Sequence, residues 1–214
     1  MYKIDSSFVK ILQTKVRNKK TTPKDLQNAL LKLGEYVASE IIGREFVKSE
    51  IVTTPLDEEY QGIVMLKSKI MVISTKDDYN YFAEGISNNM PGCIRGYMDF
   101  GGARGRMALN SEIRSMCLSE TKKGEMINTV IVAKSVLATG CTAITLLKKA
   151  IEMYDPINII VASIFYSQQG ILDLQNNEHR CKIYVCGDPD SLNNDGMLVP
   201  GVGNLDNRVK TISI

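Results

Sequence analysis

The stretch Val130-Ile-Val-Ala-Lys134-Ser-Val-Leu-Ala-Thr139-Gly140-Cys-Thr142-Ala has the residue types of an anion cradle. An apolar strand runs into a turn of small residues, and the turn opens a helix that continues to Met153. Backbone N–H groups of Ala138, Thr139, Gly140, Cys141 and Thr142 can converge on one point in such a turn, and the helix N-terminus adds partial positive charge there. The chemistry this suits is capture of a phosphate dianion, as carried by a nucleotide or a sugar phosphate. Taken alone, the same residues read equally well as a small-residue strand–helix turn.

Other reactive residues narrow the chemistry. His179, the one histidine, sits in the polar run Gln175–Arg180 and reads as a surface residue. A serine–histidine triad and a multi-histidine metal site are therefore not expected. Five cysteines (93, 117, 141, 181 and 186) without Cys-x-x-Cys spacing fit reduced thiols better than disulfides or zinc ligands. Cys141 reads as a small residue at a helix start rather than a nucleophile, and Asp77-Asp78 as a solvated loop rather than a metal pair. No metal-ligating set stands out. Phe100-Gly-Gly-Ala-Arg104-Gly-Arg106 interleaves arginine with glycine, and Arg95 precedes it. That pattern suits contacts to a phosphate backbone, or else a plain solvated loop. The formal net charge is only +2, so any polyanion contact is a local patch and not the field of the whole molecule.

The elements that must position these groups read as α/β. Residues 5–18 carry Phe8, Ile11, Leu12 and Val16 at helical spacing, and Thr22-Pro23-Lys-Asp25 starts a second helix closed by Gly43. Residues 47–54 and 60–66 predict a β-hairpin. A strand over 69–74, a helix over 79–88 and a strand over 94–99 follow. After 101–125, where no pattern is legible, strands 127–133, 157–164 and 182–186 alternate with helices 141–153 and 167–175. Alternation of this kind implies a parallel sheet flanked by helices. The tail 187–214 reads as irregular. With 44 % hydrophobic residues the chain can bury a full core as a single domain over 1–214: N-terminal helices 5–43, core 47–186 and C-terminal tail 187–214. No run approaches the roughly 18 uninterrupted apolar residues of a membrane span. The opening Met-Tyr-Lys-Ile-Asp lacks an apolar leader core, and a cytoplasmic location is expected.

At two places the chain resembles the uracil phosphoribosyltransferase family. Ser135-Val-Leu-Ala-Thr-Gly-Cys-Thr-Ala143 is similar to that family's Pro-Met-Leu-Ala-Thr-Gly-Gly-Ser-Ala phosphate loop. Leu192-Asn-Asn-Asp-Gly196-Met-Leu-Val-Pro200-Gly-Val-Gly203 is similar to its uracil hood. Weaker likeness runs through Arg17, the helix to Glu40, Val52-Thr-Thr-Pro55 and Tyr60-Gln-Gly62. The resemblance implies a phosphoribosyltransferase-like fold, a C-terminal hood that reads the base through Met197, Leu198, Val199, Gly203 and Asn204, and a dimer. It implies pyrimidine salvage: uracil plus phosphoribosyl pyrophosphate giving UMP and pyrophosphate, with magnesium if the chain is active.

The chain departs from the family's pattern at charged positions. Asp77-Asp78-Tyr79 stands where the family has Arg-Ala-Gly or Arg-Ser-Gly. Lys134 replaces a leading aspartate of the family's bacterial members, an acid its eukaryotic branch also lacks. Asn204 and Asn207 replace acids of a closing Gly-Asp-x-Gly-Asp-Arg, where Asp206 can serve instead after a local shift. Diphosphate departure needs cationic stabilisation. The expectation from these losses is a catalytically degenerate, non-enzymatic binding factor that keeps a nucleotide loop, with no catalytic residue and no cofactor. Its expected partner is RNA or the ribosome, docked through Arg104, Arg106 and Arg95. The alternative is an active uracil phosphoribosyltransferase with a rewired site.

Overall fold

The computed structural model of the chain describes residues 1–101, 113–118 and 126–210. A seven-stranded sheet runs through its centre in the order β1-β11-β9-β7-β4-β5-β6. In chain order these strands are β1 (Tyr2–Ile4), β4 (Ile70–Thr75), β5 (Ile94–Asp99), β6 (Ser115–Cys117), β7 (Thr129–Ala133), β9 (Asn158–Ser163) and β11 (Lys182–Cys186). All neighbours pair in parallel except β6, which runs antiparallel to β5. The two central strands β4 and β7 are buried along their whole length. That explains why they read as continuous apolar runs rather than alternating ones.

Helices cover both faces. On one side lie α1 (Ser7–Arg17), α2 (Pro23–Glu45) and α3 (Phe82–Asn88), which bury Val9, Leu30, Leu33, Val37 and Phe82 against the sheet. On the other lie α4 (Cys141–Tyr154) and α5 (Gln168–Asn177), which bury Ile144, Leu147, Ile171 and Leu174. Ser6 caps α1 by accepting from Val9 N, and Thr22 caps α2 by accepting from Asp25 N. An antiparallel ribbon of β2 (Val47–Thr53) and β3 (Glu59–Met65) stands apart from the sheet, exposing Ile51, Leu56, Tyr60 and Ile63.

Three expectations need correction. Gly43 does not close α2, which runs on to Glu45; one glycine costs only about 1 kcal/mol inside a long packed helix. The helix expected over 79–88 begins at Phe82, because residues 76–81 form a turn whose amides bond back to Thr75, Lys76 and Asp78. The tail is ordered as far as it is described. Strand β12 (Ser191–Leu192) pairs antiparallel with β13 (Leu198–Val199), and the short α6 (Leu205–Arg208) follows. Among the described residues no helix is long and apolar enough to cross a membrane.

Candidate functional site

The cradle is built where β7 ends. The two-residue strand β8 (Val136–Leu137) pairs in parallel with β10 (Phe165–Tyr166), holding the loop beside the start of α5. Ser167 does double duty: its Oγ accepts from Gly170 N at 2.9 Å as the helix cap and donates to Ala138 O at 2.5 Å. Gly140 sits at φ +75°, and a Cβ there would stand 2.8 Å from Gly170 O. A side chain at that position is therefore excluded both by conformation and by space. With Leu137 and Ala138 carbonyls engaged by Ser167, no backbone acceptor takes the amides of Thr139 or Gly140 among the described residues. The first turn of α4 adds amides with no acceptor inside the helix. Position and chemistry agree with a phosphate site at the carboxyl end of a parallel strand.

Above this floor lies the hood. Its turn is tied by Asn193, whose Oδ1 accepts from Asp195 N and Met197 N. A methyl group built on Gly196 would stand 3.5 Å from Thr139 Cγ2, so the turn lies across the cradle. The far end of the hood is anchored to α1. Arg17 donates to both oxygens of Asp190 at 2.8 Å and to Gly201 O at 2.9 Å, with its guanidinium over the Phe165 ring. Arg208 donates to Val16 O, Asn18 O and Val202 O. Cradle and hood enclose one cavity of about 880 Å³.

The third wall comes from the ends of β4 and β5: Thr75, Lys76, Asp77, Met98, Asp99 and Phe100. Here the structure overturns the reading of Asp77-Asp78 as a solvated loop. Asp77 is exposed, but Asp78 is buried and turned the other way. Its carboxylate accepts from Lys134 Nζ at 2.5 Å, Ser135 N at 3.3 Å, Thr75 Oγ1 at 3.4 Å and Ser135 Oγ. Lys76 pairs with Asp99 at 3.1 Å. Loss of water around the Asp77 carboxyl, and then the nearby Asp206 charge, push its pKa above the ordinary range, while Lys134 pulls it down.

Most residues singled out from the sequence converge on this cavity. Ala138 to Thr142, Met197, Leu198, Gly203, Asp77 and Lys134 all line it. Val199 and Asn204 do not; Val199 is half exposed, and Asn204 caps α6 by accepting from Asn207 N at 3.1 Å. Tyr79 lies under the Arg95 guanidinium at 4.2 Å, and Arg95 also donates to Tyr79 O and pairs with Glu84 at 3.7 Å. Arg104 and Arg106 lie outside the described residues. Sequence reasoning missed Lys76, Met98, Asp99, Val202 and Leu205 as lining residues, and Asp206, which it weighed as a substitute for the lost acids, does line the cavity. The rule that ligands sit at carboxyl ends of parallel strands could have found the first three. Among the described residues no three His, Cys, Asp or Glu side chains converge on a metal site. Magnesium in phosphate chemistry takes one or two carboxylates plus waters and ligand phosphates, and Asp77 and Asp206 both line the cavity.

Known proteins place this arrangement. The family model described as uracil phosphoribosyltransferase matches residues 3–209. A uracil phosphoribosyltransferase of Thermococcus sibiricus is 28% identical over 204 residues, covering 95% of this chain and 86% of its own. One of Pyrobaculum islandicum is 26% identical, covering 96% of both. The solved AQ2163 protein of Aquifex aeolicus superposes with a TM-score of 0.78 at 21% identity, over 99% of each chain, which speaks to the fold. The chain belongs to the uracil phosphoribosyltransferase family.

Proposed function

We propose that the chain transfers a 5-phosphoribosyl group from phosphoribosyl pyrophosphate to uracil, giving UMP and pyrophosphate. The observation that carries this reading is the joining of an unobstructed phosphate cradle and a hood as facing walls of one cavity. Relatives matched along almost the whole chain bear the name of that activity. In this reading the amides of Thr139 to Thr142 hold the 5′-phosphate, and the hood covers the base. The bond from C1′ to the pyrophosphate oxygen breaks as the bond from C1′ to the uracil nitrogen forms. The nitrogen's proton leaves to solvent, and pyrophosphate departs. Apolar hood and floor residues Met197, Leu198, Val202 and Leu205 keep water from C1′, so that uracil rather than water takes the ribosyl group.

A second reading is a nucleotide-binding protein without turnover. The specific observation in its favour is Asp77 at the cavity wall where departing diphosphate needs positive charge. Under that reading the segment with Arg104 and Arg106 serves as a docking arm for RNA or the ribosome. Co-sedimentation with ribosomes across a salt series tests it, since loss of both arginines should flatten the salt dependence and identical curves would count against it. The two readings part on one assay: uracil and phosphoribosyl pyrophosphate are supplied, and UMP is measured. Formation at about 1 s⁻¹ or faster supports transfer. Tight UMP binding without formation supports the second reading.

A further inference from the structure

We infer that Lys134 is the diphosphate-contacting cation of this cavity and that buried Asp78 is its positioning residue. The inference rests on the reading of the cavity as a phosphoribosyl transfer site. Three walls enclose it. The cradle takes the 5′-phosphate and the hood takes the base, which leaves the wall formed by the end of β4, the end of β5 and Lys134 for the departing diphosphate. Lys76 in that wall is committed to Asp99, and its side chain is exposed. Asp77 repels an anion. The described lining cations are thus Lys76 and Lys134, both ion-paired, and of the two Lys134 is the one held in place, largely buried beside the phosphate loop, to meet the ligand.

Its setting is built for that task. The Lys134 side chain is 16% exposed and the Asp78 side chain 5%. An ammonium has three N–H donors, and Asp78 takes one of them. Asp78 in turn has its acceptor positions filled by Lys134, Ser135 and Thr75, so it cannot swing away to follow solvent. A flexible lysine is thereby held in place at the cavity wall, with two donors not taken by Asp78. Burying such a pair is a poor route to stability, because desolvation offsets the Coulomb gain. A pair kept at the edge of a ligand cavity has a use there. The β4 loop contributes the anion and the phosphate loop the cation, the reverse of what the sequence comparison led one to seek at position 77.

Calorimetry with inorganic pyrophosphate in magnesium-free buffer tests this, with UMP as the control ligand. Lys134→Met should lower pyrophosphate affinity about tenfold or more, the scale of one charge-assisted contact, and leave UMP affinity within about twofold. Lys134→Met leaves Asp78 buried without its partner, so the double variant with Asp78→Asn is the safeguard for folding and should show the same selective loss. Lys134→Arg should restore most of the pyrophosphate affinity. Unchanged pyrophosphate binding in a folded Lys134→Met or double variant would reduce Lys134 to a structural tie and overturn the inference. Wild-type chain that binds UMP but not pyrophosphate would also overturn it while sparing the nucleotide site. Failure to bind UMP at all would instead sink the reading of the cavity.

Discussion

The loop that follows β7 and the loop that follows β4 leave adjacent strands at the same edge of the sheet, yet they tolerate sequence change in opposite ways. In the proposed reading the β7 loop works through backbone amides. Cys141 and Thr142 can stand where relatives of the resemblance carry other small residues, because what matters is the path of the chain through Gly140. In that reading the β4 loop works through side-chain charge. There Asp77 and Asp78 alter the electrostatics of the wall at once, and the ion pair to Lys134 brings a largely buried cation to it from the other loop. Backbone sites thus depend on the path of the chain and are legible as small-residue turns. Side-chain sites can be rearranged between loops and are legible only when the loops are seen together.

That contrast can be broken at its strongest point first. Gly140→Val forces a β-branched residue to φ +75° and toward Gly170 O, so it should reduce UMP affinity by at least about 3 kcal/mol, the scale of lost strain-free geometry plus lost amide contacts. Calorimetry that finds unchanged affinity would show that the amides are not the phosphate site. Next, Arg17→Met removes a guanidinium that holds Asp190 and Gly201 beneath the hood. Stability should fall by about 1.5–3 kcal/mol in denaturant titration. UMP affinity should fall with it while inorganic phosphate affinity holds, because the cradle has its own supports in Ser167 and Gly170. Equal losses for both ligands would mean that α1 supports the whole cavity and not the hood alone.

The smallest effect belongs to Asp77. Its folded pKa lies above the unfolded value of 3.8, so the folded state binds the proton more readily. Stability from this group is greatest at low pH and is lost as pH rises from about 3.8 through the raised folded value. Asp77→Asn should therefore raise Tm slightly at neutral pH and give no gain below about pH 3.8. A gain that persists in acid would assign the effect to something other than this charge.

Much of the fold was readable because its determinants are local. Thr22-Pro23 and Ser167 cap helices by short-range bonds, and the buried strands β4, β7 and β9 are apolar runs of the right length. The short strand β1 was not readable, since Tyr2–Ile4 is fixed by pairing with Tyr184–Cys186 at the far end of the chain. The same holds for the hood ribbon, whose shape depends on Asn193 and on Arg17 from α1. At the site, the small-residue turn was legible as a strand–helix turn, and it read as an anion cradle only together with the hood motif. The Asp78–Lys134 pair spans 56 positions and joins two loops, so each residue by itself looked like a loss. Asn204 likewise looked like a missing acid and turns out to cap a helix.

The central claim is that cradle, hood and relocated cation together still make a transferase. Steady-state formation of UMP from uracil and phosphoribosyl pyrophosphate by the purified chain tests it most directly. The account predicts turnover of about 1 s⁻¹ or above that falls sharply in Gly140→Val. A chain that binds UMP in calorimetry yet forms none from saturating substrates would contradict it.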